Sequence, residues 1–93
     1  MIKSEKMKLS SDSWNKIKVV MLRKLVMHNI WGARHLSYEL LQKGLPKELR
    51  GFSKDVANEL IKEGILLSHP TSYGLQVSLN PDKAGDIKAI IGL

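Results

Sequence analysis

The chain of 93 residues has no cysteine, only one phenylalanine and three prolines, and no long uninterrupted apolar segment. Without cysteine, neither a disulfide framework nor a thiolate zinc site can stabilise the fold, and nothing indicates an oxidising compartment. Charged residues are spread through the first eight residues without a continuous apolar core, which is unlike a signal peptide or a membrane span. We therefore expect a cytoplasmic protein that does not associate with membranes.

Sequence signatures of catalysis are also missing. The chain contains no glycine-rich phosphate loop, no His-Glu-x-x-His motif and no Ser-His-acid set that can be assembled from its residues. His35 and Glu39 stand four residues apart, a spacing that suits two metal ligands, but two further ligands do not accompany them. We therefore predict a protein that is not an enzyme and holds no metal ion and no cofactor.

Positive charge is what the chain has in excess. Fifteen Lys and Arg residues against nine Asp and Glu residues give a formal net charge of +6 and an isoelectric point near 9.7. Such a charge favours fast, salt-sensitive encounter with polyanions. The length suits one domain with a modest hydrophobic core. We assign residues 1–10 to a basic amino-terminal arm and residues 11–93 to the domain.

Apolar residues at three- and four-residue steps predict a long first helix. Several possible N-caps in the segment 9–13 place its start near Ser11, and the apolar stripe continues to about His28. The stripe is broad, which is typical of a central core helix. Ile30 and Trp31 then stand between residues that break regular structure. They predict a strand of two or three residues or an extended link.

A second helix is expected over residues 33–43, with Leu36, Leu40 and Leu41 facing inward and Gly44 ending it in a left-handed conformation. A third helix begins either at Pro46, where a missing N–H has no cost, or at Ser53, whose hydroxyl could cap it. The third helix is expected to end at Gly64.

Two strands are predicted after the third helix, over 65–69 and 75–79, joined through 70–74. Asn80, Pro81 and Asp82 form a strong start signal for a short last helix. This order predicts an α+β, mainly α fold of the winged helix-turn-helix type. It has a three-helix core, a short β-hairpin wing and a carboxy-terminal helix.

The third predicted helix carries a basic stripe. At about 100° per residue, its acidic residues gather on a flank beside the stripe and its apolar residues on the remaining side. Arg50 can contact a guanine edge or a phosphate, Lys47 and Lys54 can contact phosphates, and Asn58 has the amide geometry to read adenine. The alternative interpretation is an ordinary solvated helix face. The stripe comprises Lys47, Arg50, Gly51, Lys54, Asn58 and Lys62.

The predicted wing has no Lys or Arg at its tip. Thr71, Ser72, Tyr73 and the nearby His69 can donate hydrogen bonds to phosphate oxygens, but they add little Coulombic attraction. The Tyr73 ring can stack on an unpaired base, or it can instead fold over the apolar surface of the hairpin. The sequence does not distinguish between these two positions of the ring.

Four segments of the chain together resemble small archaeal winged-helix proteins, most of them uncharacterised. The resemblance extends over roughly residues 14–91, and its helix, glycine and hairpin portion is the most widely shared. It implies a winged-helix fold and a nucleic-acid role without identifying a target. The chain departs from the usual pattern in its cation-free wing and in the longer, glycine-containing join before the third helix. The four segments are Trp31–His35, Gly44–Lys47, Glu59–Gly64 and Val77–Pro81.

These features together predict a module that binds double-stranded DNA, with transcriptional regulation as its role and structured RNA as a near variant. A different class of function is a protein-interaction module of a larger complex. The carboxy-terminal helix, with Ile87, Ile90 and Ile91, could join such a complex or form a homodimer. The predicted contacts to nucleic acid are Lys47, Arg50, Lys54, Asn58 and Lys62 of the third helix and Thr71, Ser72 and Tyr73 of the wing.

Overall fold

The computed structural model describes residues 10–93, so the predicted basic arm lies, apart from Ser10, outside the described residues. The fold is α+β and mainly helical, with one small antiparallel sheet. Two short 3₁₀ helices, Lys47–Leu49 and Pro81–Lys83, each lead into an α-helix. The other elements in chain order are helix α1 (Ser11–Met27), strand β1 (Leu36–Ser37), helix α2 (Tyr38–Gln42), helix α3 (Arg50–Lys62), strands β2 (Leu66–Thr71) and β3 (Gly74–Leu79), and helix α4 (Ala84–Ile91).

Helix α1 starts where the sequence predicts. The Ser10 hydroxyl accepts a hydrogen bond from the Ser13 N–H at 3.1 Å, and Asp12 in the first turn complements the helix dipole. The helix then runs for 17 residues through the middle of the core. Its inner face is completely buried and consists of Ile17, Met21, Leu22 and Leu25.

Helix α2 is much shorter than the predicted span of 33–43. Ser37 is extended and its hydroxyl accepts from the Leu40 N–H at 3.2 Å, which caps the helix so that its first residue is Tyr38. Leu36 is partly buried in strand β1, and Leu41 is fully buried as expected. Leu40 was expected to face inward, but 45% of its surface is exposed.

The turn from α2 to α3 also differs from prediction. The prediction that Gly44 adopts a left-handed conformation was wrong. Its φ angle is not positive, unlike that of Gly64. The helix instead closes with Lys43 in a right-handed conformation and with a hydrogen bond from Leu45 N to Gln42 O at 3.0 Å. No left-handed residue is needed for that closure.

Helix α3 is entered through the 3₁₀ helix that follows Pro46, where Leu49 N donates to Pro46 O at 2.9 Å. Neither predicted start is the first residue of α3, which is Arg50: helical structure begins just after Pro46 as a 3₁₀ turn, and Ser53 lies inside the helix. The end at Gly64 is confirmed. Its φ of +80° lets Ile65 N reach back to Leu60 O at 2.9 Å, and a residue with a Cβ would be strained in that conformation.

The sheet has the order β1-β3-β2, with both pairs antiparallel. In the hairpin, Thr71 pairs with Gly74, so the loop between the strands is two residues long. Of the two alternatives predicted at Ile30 and Trp31, the segment is a link and not a strand. Trp31 makes only an isolated bridge with Leu79, and the first strand lies at Leu36–Ser37 because it pairs there with β3.

A single hydrophobic cluster joins α1, α3, the sheet and α4. Asn80 caps the last helical segment through its side chain, which accepts from Asp82 N at 3.0 Å, as predicted. Ile87 and Ile91 of α4 are buried in this cluster, and Ile90 packs against it. The isoleucines that suggested a partner surface therefore contribute to the core. Within the described residues, none of the helices combines the length and apolar character that crossing a bilayer demands.

Candidate nucleic-acid interface

Helix α3 separates its apolar and polar residues onto opposite sides. The hydrophobic residues Val56, Ala57 and Leu60 are completely buried against the core. Because the helical period is 3.6 residues, residues on the opposite side of the helix face solvent. The predicted site residues of this segment are all exposed: Lys47 in the 3₁₀ helix, and Arg50, Lys54, Asn58 and Lys62 on α3.

Arg50 differs from the lysines because it has partners within the protein. Its Nε donates to Leu45 O at 3.1 Å and its Nη2 donates to Lys43 O at 3.3 Å. The guanidinium thus holds the turn that joins α2 to α3. A guanidinium has five N–H donors, so the remaining donors of this exposed side chain can still reach a phosphate.

A buried hydroxyl fixes α3 against α2. Ser53 is fully buried, and its hydroxyl donates to Arg50 O at 2.8 Å. Since that uses the only Ser53 proton, the Tyr38 hydroxyl, 2.5 Å from Ser53 Oγ, must be the donor between the two side chains. This link joins the first residue of α2 to the first turns of α3. The orientation of the basic face therefore depends on a polar contact as well as on apolar packing.

The two halves of α3 differ in their electrostatic balance. Towards its carboxyl end, Lys62 and Asn58 line a shallow depression together with Asp55 and Glu59. The single cation in that depression has two acidic neighbours, which offset its attraction for a phosphate. Lys54, nearer the amino end, instead lines a cleft beside the hairpin. The net positive part of the face is therefore its amino-terminal half.

The cleft beside Lys54 lies between α2, α3 and the hairpin and has a volume of about 310 Å³. Lys54 from α3 and Glu39 from α2 are the charged residues in its wall. Tyr73 borders it from the hairpin tip and has 94% of its surface exposed. The ring is thus not folded over the hairpin, which was one of the two positions left open by the sequence.

The other predicted tip residues divide into those with internal partners and those without. Thr71 is exposed, but its hydroxyl donates to Gly74 O at 2.8 Å and accepts from Tyr73 N at 3.1 Å. The Thr71 hydroxyl therefore organises the turn and cannot also donate to a phosphate. Gly74, with a φ of +119°, supplies the backbone conformation that the turn requires. Ser72 and Tyr73 are left as exposed contact residues at the tip.

His69 lies away from the tip, on the surface of the sheet. Its ring stacks on that of His35, with centroids 4.8 Å apart. Ser78 Oγ donates to Gly32 O at 2.8 Å, so His69 Nε2 must donate to Ser78 Oγ, 3.0 Å away. His35 Nδ1 lies 3.0 Å from Gln76 Oε1. Among residues 10–93, no group of three or more His, Asp or Glu side chains is arranged to hold a metal ion.

Lys43 is a residue that the sequence reasoning left out. Its carbonyl accepts from Arg50, and its exposed side chain belongs to the turn between α2 and α3. It was missed because the predicted stripe was built from the period of one helix alone. The presence of a lysine at each end of the segment 43–47 was the available signal.

Comparison of the chain with known protein families, with curated protein sequences and with solved structures found no match.

Proposed function

We propose that the protein is a winged-helix module that binds double-stranded DNA through the outer face of α3 and the adjoining hairpin. The order of its elements supports this, because two helices precede α3 and a β-hairpin follows it. The observation that carries the proposal is the exposure of Lys47 and Lys54, of which Lys54 lies beside the hairpin, while Val56, Ala57 and Leu60 on the opposite side of α3 are completely buried. A rigid helix with cations on its free side is a suitable shape for a nucleic-acid groove.

In this proposal, the residues have different tasks. The major groove of B-DNA is about 12 Å wide and admits one helix. Lys47 and Lys54 contact phosphates as point charges, and the free donors of Arg50 add a third contact. Asn58 is the residue on this face whose amide can pair with a base edge. Lys62, which has acidic neighbours, contributes less. Ser72 and Tyr73 at the hairpin tip touch the backbone beside the groove.

The role that follows is that of a sequence-reading regulator of transcription in the cytoplasm, without catalysis or a cofactor. Phosphate contacts would supply most of its affinity, and very few side chains would read bases. Sequence discrimination should consequently be modest, because one good bidentate contact contributes about 1–3 kcal/mol.

The salt dependence of binding tests the proposal. A double variant, Lys47→Gln with Lys54→Gln, removes two phosphate contacts, so the slope of log K against log salt should decrease in magnitude by about 1.8. The control is Lys16→Gln with Lys88→Gln, which removes the same charge from exposed positions on α1 and α4. Fluorescence anisotropy with a labelled duplex measures both slopes. Equal slopes for the two double variants would refute this site.

Structured RNA with unpaired bases is a second candidate ligand, and the exposure of Tyr73 favours it. An aromatic ring at the edge of a polar cleft can stack on a base, which typically contributes about 1–3 kcal/mol per base. Tyr73→Ala should therefore weaken binding to an RNA hairpin with an unpaired loop and leave duplex DNA binding nearly unchanged. Ser72→Ala is the matched control at the neighbouring tip position. An equal loss for both ligands would argue against stacking.

A protein-interaction function has less support. The isoleucines of α4 suggested this function from the sequence, but Ile87 and Ile91 are buried within the domain. A homodimer through α4 would have to use other residues of that helix. Light scattering on the full chain measures this directly, and a monomer at micromolar concentration is expected.

A further inference from the structure

A second cationic surface lies away from the outer face of α3. It is a cavity of about 360 Å³ between the end of α1, the segment that follows it, and α2. This size is at the lower end of the range for small-molecule sites. Its lining combines basic or histidine side chains with apolar ones and contains no acidic residue. The residues are Lys24, His28, Ile30, Arg34, Leu36 and Leu40.

The apolar part of the lining comes from three different elements. Ile30 is buried and belongs to the segment after α1, Leu36 lies in β1, and Leu40 lies in α2. Because Leu40 exposes 45% of its surface here, a ligand that covered it would remove apolar area from water. The occupant must therefore carry an apolar body.

The basic part of the lining requires an anionic group on the same occupant. Lys24 Nζ donates to Leu40 O at 2.7 Å, which fixes the ammonium beside another lining residue of the cavity. That bond uses one of its three donors, so the others can point to a ligand. Arg34 is exposed and adds a guanidinium, and His28 adds a ring N–H donor. The helix dipole places about half a negative charge at the carboxyl end of α1, which repels an anion. The two full positive charges of Lys24 and Arg34 outweigh this repulsion.

We propose that this cavity binds a small organic monocarboxylate whose body is an aromatic ring or a short branched chain. The carboxylate pairs with Arg34 and Lys24, and the body covers Leu36 and Leu40. A bound ligand would link α1, β1 and α2 and so restrain the helix that leads into α3. The binding itself does not depend on the proposed nucleic-acid function.

Titration of the full chain with phenylacetate, without nucleic acid, tests the proposal. Amide and methyl NMR signals of Ile30, Leu36 and Leu40 should shift together and saturate in the millimolar range, as expected for so small a ligand. Phenylacetamide, which has the same body and no charge, should bind at least about fivefold more weakly because it cannot form the ion pairs. Equal affinity for the two compounds would overturn the proposal.

Matched variants locate the site. Arg34→Gln should weaken phenylacetate binding by at least about fivefold, whereas Arg23→Gln, an equal charge change on the exposed surface of α1, should leave it unchanged. Leu40→Glu places a carboxylate at the cavity and should abolish binding, and its circular dichroism spectrum reports whether α2 is retained. Equal losses for Arg34→Gln and Arg23→Gln, or shifts that map to α3 instead, would show only non-specific anion attraction and refute the site.

Discussion

The outer face of α3 and the β2–β3 hairpin both present polar side chains to solvent, but they use them differently. Lys54 and Asn58 extend from one side of α3, and Lys47 extends from the 3₁₀ helix that leads into it, while Val56, Ala57 and Leu60 on the other side of α3 are completely buried. On the hairpin, Thr71 and His69 form hydrogen bonds with Gly74 and Ser78 of the hairpin itself. Exposed polar side chains thus extend into solvent on one surface and hold the fold together on the other. Their positions relative to backbone carbonyls and neighbouring hydroxyls decide between the two uses.

The largest expected effect comes from the inner side of α3. Leu60→Ala removes a completely buried side chain from the core cluster and should lower the free energy of unfolding by about 2–5 kcal/mol. Asn58→Ala, on the outer side of the same helix, should change it by less than about 0.5 kcal/mol. Urea denaturation followed by circular dichroism measures both. Similar losses would mean that the two sides of α3 are not as different as their exposure indicates.

An intermediate effect is expected on the hairpin. Ser78 is fully buried and bonds both Gly32 O and His69, so Ser78→Ala leaves two polar groups without this partner. The expected loss of unfolding free energy is about 1–3 kcal/mol. Ser68→Ala makes the same chemical change at an exposed position of β2 and is expected to be nearly neutral. If Ser78→Ala destabilised the protein no more than Ser68→Ala in thermal melts, the inference that the polar groups of the hairpin stabilise the fold would be contradicted.

The smallest effect is expected at the hairpin tip. Tyr73 has 94% of its surface exposed, so Tyr73→Ala should change the unfolding free energy by less than about 0.5 kcal/mol. This distinguishes it from Thr71→Val, which removes two hydrogen bonds of the turn and should cost about 1 kcal/mol. Calorimetry on both variants would test the contrast. A clear destabilisation by Tyr73→Ala would contradict the exposed position of the ring.

Features with local causes could be predicted from the sequence. The start of α1 near Ser11, the end of α3 at Gly64 and the start signal at Asn80 each depend on a few neighbouring residues, and all three are confirmed. The two long strands followed from alternation and turn residues. The separation of polar and apolar residues on α3 followed from the helical period alone, and so did the exposure of Lys54.

Features with distant causes could not be predicted in this way. Strand β1 is two residues long and exists because Leu36 and Ser37 pair with β3, some forty residues later. A run of two residues has no period that could reveal it. The partners of Arg50 are carbonyls of the preceding turn, and their positions depend on how α2 ends. The sequence shows the charge of Arg50, but it does not show that its guanidinium hydrogen-bonds to the turn between α2 and α3.

Strand β2 lies at an edge of the sheet and includes Pro70, which pairs with Leu75 of β3. Edge strands are templates on which identical chains can add to one another and aggregate. A proline has no backbone N–H, so it removes one of the donors that an incoming strand would need. We expect this position to help keep concentrated protein monodisperse, and Pro70→Val to increase its tendency to self-associate.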